Sequence, residues 1–226
     1  MKKVLFTLDL GGNYNSKVTE LTYPWIEHYA RKIDAEFIKI TERKFPKWQP
    51  TYEKLQMYDL CKQHPADWYY FIDQDAIIHP HFIDITNFIN KDVVCHNAND
   101  FANVRFRYNE YFWRSGSNIG SCTWFIVFSD WCIDLVHPYE GTPEECYSNI
   151  YPIIGEAVAG VTPPRLVEDY ILSLNIARYG LKFETVNNIV KKLGFPQNDF
   201  LCHFYAIPEE EKVVKIKQVL EMWRMV

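Results

Sequence analysis

Apolar residues occur along the chain in two patterns, short continuous runs and segments of helical periodicity. The short runs, rich in β-branched and aromatic residues, predict buried strands. They lie at 3–12, 35–41, 67–73, 91–97, 123–130 and 181–186. The periodic segments predict helices, the last of which carries acids in its first turn. They lie at 18–33, 50–63, 81–89, 166–180 and 208–226, and the Pro-, Gly- and Tyr-rich segment 137–164 is expected to form loops.

The alternation of strands and helices predicts an α/β fold, with a mostly parallel central sheet flanked by helices. Ligands of such sheets collect at the carboxyl ends of the strands. Three predicted strands end in polar clusters: Thr7, Asp9, Gly11 and Gly12; Asp73 and Asp75; and His96, Asn97, Asn99 and Asp100. We therefore expect these clusters to form one shared site.

Length and charge narrow the function classes. The chain has 226 residues, enough for one substantial core and short for two. Its formal net charge is −5 and it has no long Lys/Arg block, which argues against electrostatic binding to nucleic acid. Aromatic residues make up 16% of the chain. That share fits either stacking on flat ligands and sugar rings or a bulky core.

The cysteines and the N-terminus bear on the compartment. The 6 cysteines form no CxxC pair, so a zinc ribbon is not expected. Most lie in apolar surroundings, which favours buried free thiols in a reducing compartment, with a disulfide as the alternative. No signal peptide or membrane anchor is recognisable, because Asp9 and the glycines interrupt the first apolar run. We therefore expect no membrane span and a cytoplasmic location.

The segment FIDQDAII at 71–78 places Asp73 and Asp75 one residue apart where an apolar run ends. Two neighbouring carboxylates repel each other unless a positive charge lies between them. Such oxygen ligands suit Mg²⁺ or Mn²⁺, and an ion of this kind can bridge to a diphosphate. The alternative is a turn in which an aspartate caps the next helix. The apolar strand before the pair favours the metal, because it fixes both acids at the edge of a sheet.

The segment LDLGGNYN lacks the GxGxxG spacing and the GK[ST] ending, so it is neither a good dinucleotide fingerprint nor a P-loop. Its two glycines fit a plain turn, or a turn whose backbone a nucleotide approaches. In the second case Tyr14 would stack on the base, and Thr7 or Asp9 would bond to base or ribose.

Two other segments also allow a structural and a functional role. His203 in FLCHFYA is either a core histidine or a metal ligand with partners from elsewhere in the chain. Glu168 and Asp169 are either helix N-terminal acids stabilised by the helix dipole, or carboxylates that face a reacting sugar.

Taken in chain order, these segments resemble a metal-dependent nucleotide-sugar glycosyltransferase of the GT-A fold. YYFIDQDAII resembles the family's W-I-D-x-D-A strand, and SNIGSCTWFIVFSDW resembles the segment that borders the donor sugar. VEDYILSLNIARYG resembles its acid-bearing helix. CHFYA resembles its late H-F-x-G segment, although Tyr205 and Ala206 stand where a glycine is usual and the following Lys-Pro-Trp is missing. The chain is also similar to glycosyltransferases that large algal viruses encode to glycosylate their capsid protein.

The resemblance implies a role for each matching residue. Asp75 and His203 would ligate the metal, together with Asp73, which would contact the metal or the ribose. Glu168 and Asp169 would be the catalytic acids beside the sugar, as a base or as stabilisers of the transition state. The nucleotide and donor sugar would be contacted by Thr7, Asp9, Tyr14, Lys54, Asp73, Arg114, Asn118 and Gly120.

The implied activity is transfer of a hexosyl or deoxyhexosyl unit from a UDP-sugar to a glycan or glycoprotein, with Mn²⁺ or Mg²⁺. The implied organisation is a single domain over 1–226, nucleotide-binding at about 1–100 and sugar- and acceptor-binding at about 101–226. The aromatic residues at 111–113 would hold the acceptor or form a hydrophobic lid. Inverting and retaining chemistry both stay open.

Two other classes compete with glycosyl transfer. A nucleotidyltransferase also uses paired carboxylates and metals, but it would usually have a third acid nearby and a Gly-Ser loop, and the sequence has no such loop. A non-enzymatic carbohydrate-binding module with a structural Ca²⁺ would usually be all-β. The helices predicted at 166–180 and 208–226 count against it.

Overall fold

The computed structural model describes residues 1–11, 16–99, 119–150, 162–205 and 207–224. The strands are β1 (Lys3–Leu8), β2 (Ala35–Ile40), β3 (Trp68–Ile72), β4 (Ala76–Ile78), β5 (Val93–His96), β6 (Phe125–Ser129), β7 (Lys182–Thr185) and β8 (Leu201–His203). The α-helices are α1 (Ser16–Lys32), α2 (Met57–Gln63), α3 (Pro143–Tyr147), α4 (Val167–Tyr179), α5 (Val186–Lys192) and α6 (Glu209–Arg224). Turns of 3₁₀ helix cover Pro50–Gln56, Ile85–Asn87, Asp130–Val136 and Pro163–Leu166.

Six strands form the central sheet in the order β2-β1-β3-β6-β5-β7. The β1–β2, β1–β3 and β5–β7 pairs are parallel, whereas β6 runs antiparallel to both of its neighbours. The predicted α/β fold with a mostly parallel sheet is confirmed. Because β6 runs the other way, its first residues lie at the edge of the sheet where β3 and β5 end.

The central strands are apolar on both faces because both faces are covered. Along β3, Tyr69 and Phe71 enter one hydrophobic core, whereas Trp68, Tyr70 and Ile72 enter the other. Successive side chains of a strand point to opposite faces, so a continuous apolar run is what a doubly covered strand requires. Residues of α2 and α4 pack in the first core, and residues of α1 and α5 pack in the second.

A third core places the C-terminal helix beside the end of β3. Ile216 and Leu220 of α6 pack with Val18 of α1, Ile77 of β4 and Phe204. Strands β4 and β8 pair antiparallel as a separate small sheet. Strand β4, which follows the Asp-Gln-Asp segment, therefore contacts β8 and α6 from the C-terminal part of the sequence.

The segment 81–89, predicted as a short helix, forms only the 3₁₀ turn Ile85–Asn87. The carboxylate of Asp84 accepts bonds from the backbone N–H of Thr86 at 3.1 Å and from the Tyr70 hydroxyl at 2.6 Å. It also accepts from the Lys3 ammonium at 2.6 Å. These contacts hold the Asp84 side chain against the sheet. Its bond to the nearby backbone N–H of Thr86 favours a short turn over a longer helix.

Further differences from the predicted elements involve short segments. Strands β4 and β8 have 3 residues each, too few to show a period of two. Helix α3 lies in the segment expected to form loops, where Thr142 and Glu145 form a capping box. Helix α5 follows β7 directly and is capped by Thr185, whose hydroxyl accepts from Asn188 N–H at 3.1 Å.

All six cysteines are free, and four of them are buried: Cys61, Cys95, Cys132 and Cys146. Burial raises the pKa of the Cys146 thiol to about 12 and of the Cys202 thiol to about 11. None of the helices in the described ranges combines the length and the apolar character that a membrane span needs.

Gly180 ends α4 in the left-handed conformation, with φ of 61°. A Cβ added there meets no heavy atom within 4 Å among the described residues, so its cost is conformational. We expect Gly180→Ala to lower the free energy of unfolding by about 1–2 kcal/mol. Urea denaturation measures it. Gly180→Asn is the matched control, because asparagine adopts this conformation more readily. Equal losses in the two variants would contradict the conformational explanation.

Candidate metal centre

The sheet edge formed by the carboxyl ends of β1, β3 and β5 carries the Asp-Gln-Asp segment. Asp73 follows β3 directly, and its backbone N–H donates to the Trp124 carbonyl at 2.9 Å. The Asp73 carbonyl in turn accepts from Ala76 N–H at 3.1 Å, which closes a tight turn before β4. The Thr22 hydroxyl of α1 donates to the Gln74 carbonyl at 2.6 Å. The turn is therefore fixed from both sides, and its two carboxylates have defined positions.

His203 reaches the aspartates because β8 lies beside β4. Ala76 pairs with His203 in the antiparallel ladder, and the Asp75 carbonyl accepts from Phe204 N–H at 3.1 Å. The Nε2 atom of His203 lies 3.1 Å from Asp75 Oδ1 and 3.6 Å from Asp73 Oδ2. Its ring stacks on Trp124 with centroids 5.0 Å apart. The imidazole is thus oriented by an aromatic face as well as by its strand.

The donor atoms of Asp73, Asp75 and His203 all lie within 4.8 Å of one another, and no other group of three such residues is found in the described part of the chain. Neighbouring ligands of an octahedral Mg²⁺ or Mn²⁺ at about 2.1 Å stand about 3.0 Å apart, and His203 Nε2 lies 3.1 and 3.6 Å from the oxygens of Asp75 and Asp73. Two carboxylates and one imidazole are also a donor set that suits these ions. The residues present fit a divalent metal.

Lys54 contacts the Asp73 carboxylate of this metal-ligand group. Its ammonium is 3.0 Å from Asp73 Oδ1 and 3.7 Å from Glu168 Oε1, and its side chain is 1% exposed. The ammonium also lies 3.4 Å from the Thr123 carbonyl. Burial disfavours its charged form, but the charges of Asp73 and Glu168 outweigh burial and raise the pKa of Lys54 above its ordinary value.

Glu168 and Asp169 lie in the first turn of α4, and the Glu168 carboxylate shares the Lys54 ammonium with Asp73. Glu168 is buried, and its Oε2 accepts from the Thr51 hydroxyl at 2.8 Å. Burial raises the pKa of Glu168, although the neighbouring Lys54 charge partly opposes it. Asp169 is partly exposed, and its negative charge contributes to the raised pKa of Lys54. The structure therefore brings the two acids near the metal-ligand group through Lys54.

Lys212 contacts the Asp75 carboxylate and was not anticipated from the sequence. Its ammonium is 2.5 Å from Asp75 Oδ2, and the residue is 5% exposed. Burial alone would raise the pKa of the Asp75 carboxyl. The hydrogen bond and charge of His203, together with the Lys212 ammonium, instead hold the pKa of Asp75 well below its usual range.

The end of β1 lies beside the end of β3, since Phe6 pairs with Phe71 in the parallel register. Thr7 is fully buried, and its hydroxyl has no hydrogen-bond partner among the described residues. Asp9 N–H donates to the Ile40 carbonyl at 2.9 Å. Burial, with a smaller contribution from the Asp9 charge, raises the pKa of Tyr23. Thr7 and Asp9 are thus at the predicted edge of the sheet.

The polar cluster after β5 is largely engaged within the protein. His96 is fully buried, its Nδ1 lies 2.8 Å from Ser121 Oγ, and burial lowers its pKa to about 3. Asn97 Oδ1 accepts from Asn198 Nδ2 at 3.0 Å. Gly120 N–H donates to Asn99 Oδ1 at 2.9 Å. The described residues of this cluster lie at the same sheet edge, next to the start of β6.

Several predicted site residues lie outside the described ranges: Gly12, Tyr14, Asp100, the aromatic residues at 111–113, Arg114 and Asn118. Thr51, Thr123, Trp124 and Lys212 contact the site although sequence reasoning did not select them. For Lys212 a signal exists, because a lysine in the first turn of a helix, directly after three glutamates, opposes the helix dipole.

No protein-family model matches the chain, and no curated protein sequence matches it. Among solved structures, it is similar to a glycosyltransferase involved in glycosylation of the major capsid of PBCV-1. The TM-score is 0.52 at 11% identity, with 96% of this chain and 100% of that chain covered. A mutant of Drosophila β1,4-galactosyltransferase 7, in complex with manganese, UDP-Gal and xylobiose, gives a TM-score of 0.49 at 9% identity. That alignment covers 91% of this chain and 72% of that chain.

The likeness to the PBCV-1 enzyme establishes the fold. The predicted resemblance to GT-A glycosyltransferases is confirmed by this fold and by the metal-ligand geometry of Asp73, Asp75 and His203. Together, the fold and the site support a glycosyltransferase.

Proposed function

We propose that this chain is a glycosyltransferase that moves a hexosyl or deoxyhexosyl unit from a UDP-sugar to a glycan or glycoprotein, with Mn²⁺ or Mg²⁺. The convergence of Asp73, Asp75 and His203 at the carboxyl edge of a GT-A sheet carries the proposal. All of 1–226 is assigned to one domain, with the nucleotide half at about 1–100 and the sugar and acceptor half at about 101–226. The cytoplasmic location stays a prediction.

In the proposed mechanism Asp75 and His203 hold the ion, and Asp73 binds it directly or through ribose or water. When bound, the ion stabilises the negative charge that develops on the leaving UDP. Lys54 fixes the orientation of Asp73 through the 3.0 Å ion pair. Since Lys54 is nearly inaccessible, its charge acts on the nucleotide through Asp73 rather than by direct contact.

The remaining roles follow the resemblance. Thr7, Asp9 and Tyr14 bind uracil or ribose, and the buried Thr7 hydroxyl that lacks a described partner is consistent with this role. Arg114, Asn118 and Gly120 border the donor sugar.

Glu168 and Asp169 stabilise the positive charge that develops on the sugar ring. Thr51 and Lys54 hold Glu168 in one orientation, and Asp169, the next residue of α4, is partly exposed. Separate replacement of the two acids tells which one matters.

Thermal unfolding with a panel of nucleotide sugars, with and without Mn²⁺, tests the donor class. A UDP-sugar at about 100 times its dissociation constant stabilises the folded state by about 2.7 kcal/mol. For a chain of this size that corresponds to a rise in Tm of roughly 5–10 °C, and we expect it only when Mn²⁺ is present. GDP-sugars serve as the matched control for base recognition.

The same samples are assayed for release of UDP in the presence of acceptors. Stabilisation by nucleoside triphosphates with release of pyrophosphate would contradict the proposal and favour nucleotidyl transfer. Equal stabilisation with and without Mn²⁺ would contradict the metal role.

A further inference from the structure

Lys212 places a second buried ammonium at the metal-ligand group. It lies in the first turn of α6, where its backbone N–H donates to the Pro208 carbonyl at 3.0 Å. Its side chain is directed inward, with Nζ 2.5 Å from Asp75 Oδ2 and the side chain 6% exposed. On the other oxygen of the same carboxylate, His203 Nε2 lies at 3.1 Å. Both oxygens of Asp75 are thus engaged by nitrogen atoms of the protein.

The helix itself does not favour a lysine at this position. The first turn of a helix carries partial positive charge, so a cation there is unfavourable. Burying the ammonium adds a desolvation cost that only a well-placed anion offsets. The preceding Glu209 instead follows the dipole rule and accepts from Lys17 N–H at 3.0 Å on α1. The position of Lys212 therefore depends on its contact with Asp75.

Each aspartate of the pair has its own ammonium partner. Lys54 contacts Asp73 and Lys212 contacts Asp75, at 3.0 and 2.5 Å. A divalent ion that uses Asp75 must share this carboxylate with Lys212, and it adds two positive charges beside two existing ones. An anionic diphosphate bound at the same edge would relieve that repulsion, since opposite charges attract strongly in a partly buried site.

We propose that Lys212 competes with the divalent ion for Asp75, so that the metal binds weakly alone and tightly together with a nucleoside diphosphate. The dependence on the diphosphate rests on the proposed function, whereas the competition rests only on the geometry. Lys212 is a positioning residue in this proposal, because it acts on the metal through Asp75. Metal and donor then bind as a coupled pair, a form of linkage between two ligands.

Titration with Mn²⁺ alone, followed by the electron paramagnetic resonance signal of the free ion, tests the competition. Lys212→Met removes the charge but keeps an apolar stem of similar length. We expect it to bind Mn²⁺ about 5- to 150-fold more tightly than the natural protein. Lys215→Met is the matched control, since Lys215 lies on the same helix and pairs at the surface with Glu211 at 2.8 Å. Equal or weaker binding of Mn²⁺ by Lys212→Met would overturn the competition.

The same titration in the presence of UDP tests the coupling. UDP is expected to increase the affinity of the natural protein for Mn²⁺ by a larger factor than it does for Lys212→Met. Equal factors would overturn the coupling. If UDP has no effect on either protein, the coupling and the proposed donor class fail together, while the titration with Mn²⁺ alone still decides the competition.

Two further variants are controls in case Lys212→Met fails to fold. Lys212→Arg keeps the charge and should retain the weak binding of Mn²⁺ alone. Lys212→Gln removes the charge but can still donate to Asp75, and it replaces Lys212→Met if circular dichroism shows that the methionine variant is unfolded. Tighter binding in the arginine variant, or natural affinity in the glutamine variant, would count against a role for the charge.

Discussion

Asp75→Asn is expected to lower the rate of sugar transfer with Mn²⁺ by roughly 100- to 1,000-fold, because several kcal/mol of transition-state stabilisation depend on the ion. Asparagine keeps the size of the side chain but loses the negative charge that binds the metal. It also leaves Lys212 and His203 beside a neutral amide in a site that is mostly buried. The measurement is UDP release at saturating donor, together with direct titration of Mn²⁺.

The matched control is Asp199→Asn. Asp199 lies close before β8 and is exposed, with a single described side-chain bond from Gln197 at 3.1 Å. This variant should keep natural activity and natural metal affinity. A circular dichroism spectrum separates loss of metal from loss of fold in the Asp75 variant. Natural activity in a folded Asp75→Asn protein would refute the metal centre.

The carboxylate pair could be predicted because its signal is local. An apolar run as long as one strand ends at Ile72 and is followed by Asp73 and Asp75. Burial of all five residues of β3 follows from the same run. In a parallel sheet the residues after such strands share one edge, and the described residues of the three predicted clusters follow the ends of β1, β3 and β5.

His203 and Lys212 could not be assigned from local patterns alone. Each reaches Asp75 across more than a hundred residues of sequence, through β8 and α6. The pairing of β4 with β8 is decided by tertiary contacts, because three-residue strands carry no periodic signal. The resemblance to a known family supplied His203. It did not supply Lys212, and the family's Lys-Pro-Trp after the histidine is missing here.

The antiparallel direction of β6 has a similar explanation. All five residues of β6 are buried, which is consistent with either direction in a doubly covered sheet. The direction matters for the site because it brings Thr123 to Lys54 and Trp124 to His203. Sequence reasoning selected Gly120 from this segment, and the structure adds Thr123 and Trp124, the two residues before β6.

Lys54→Met is expected to lower the free energy of unfolding by about 3–5 kcal/mol, because it leaves buried carboxylates without their counter-charge. Lys54 is 1% exposed, and its partners Asp73 and Glu168 are 19% and 9% exposed. In a protein of this size the loss corresponds to a decrease in Tm of roughly 6–20 °C. Differential scanning calorimetry of the metal-free protein measures it. Methionine keeps an apolar stem of similar length but loses the ammonium, which lies 5.0 Å from the centroid of the Phe71 ring.

The double variant Lys54→Met/Glu168→Gln distinguishes lost charge compensation from lost packing. Replacing Glu168 removes the more deeply buried of the two carboxylates, so the double variant should be more stable than Lys54→Met alone, a non-additive result typical of residues in contact. Lys62→Met is the surface control, because Lys62 is 55% exposed and lies 3.9 Å from Asp59. Such exposed pairs contribute about 0–1 kcal/mol. A Lys54→Met protein as stable as Lys62→Met would mean that Lys54 does not neutralise Asp73 and Glu168 in the folded state.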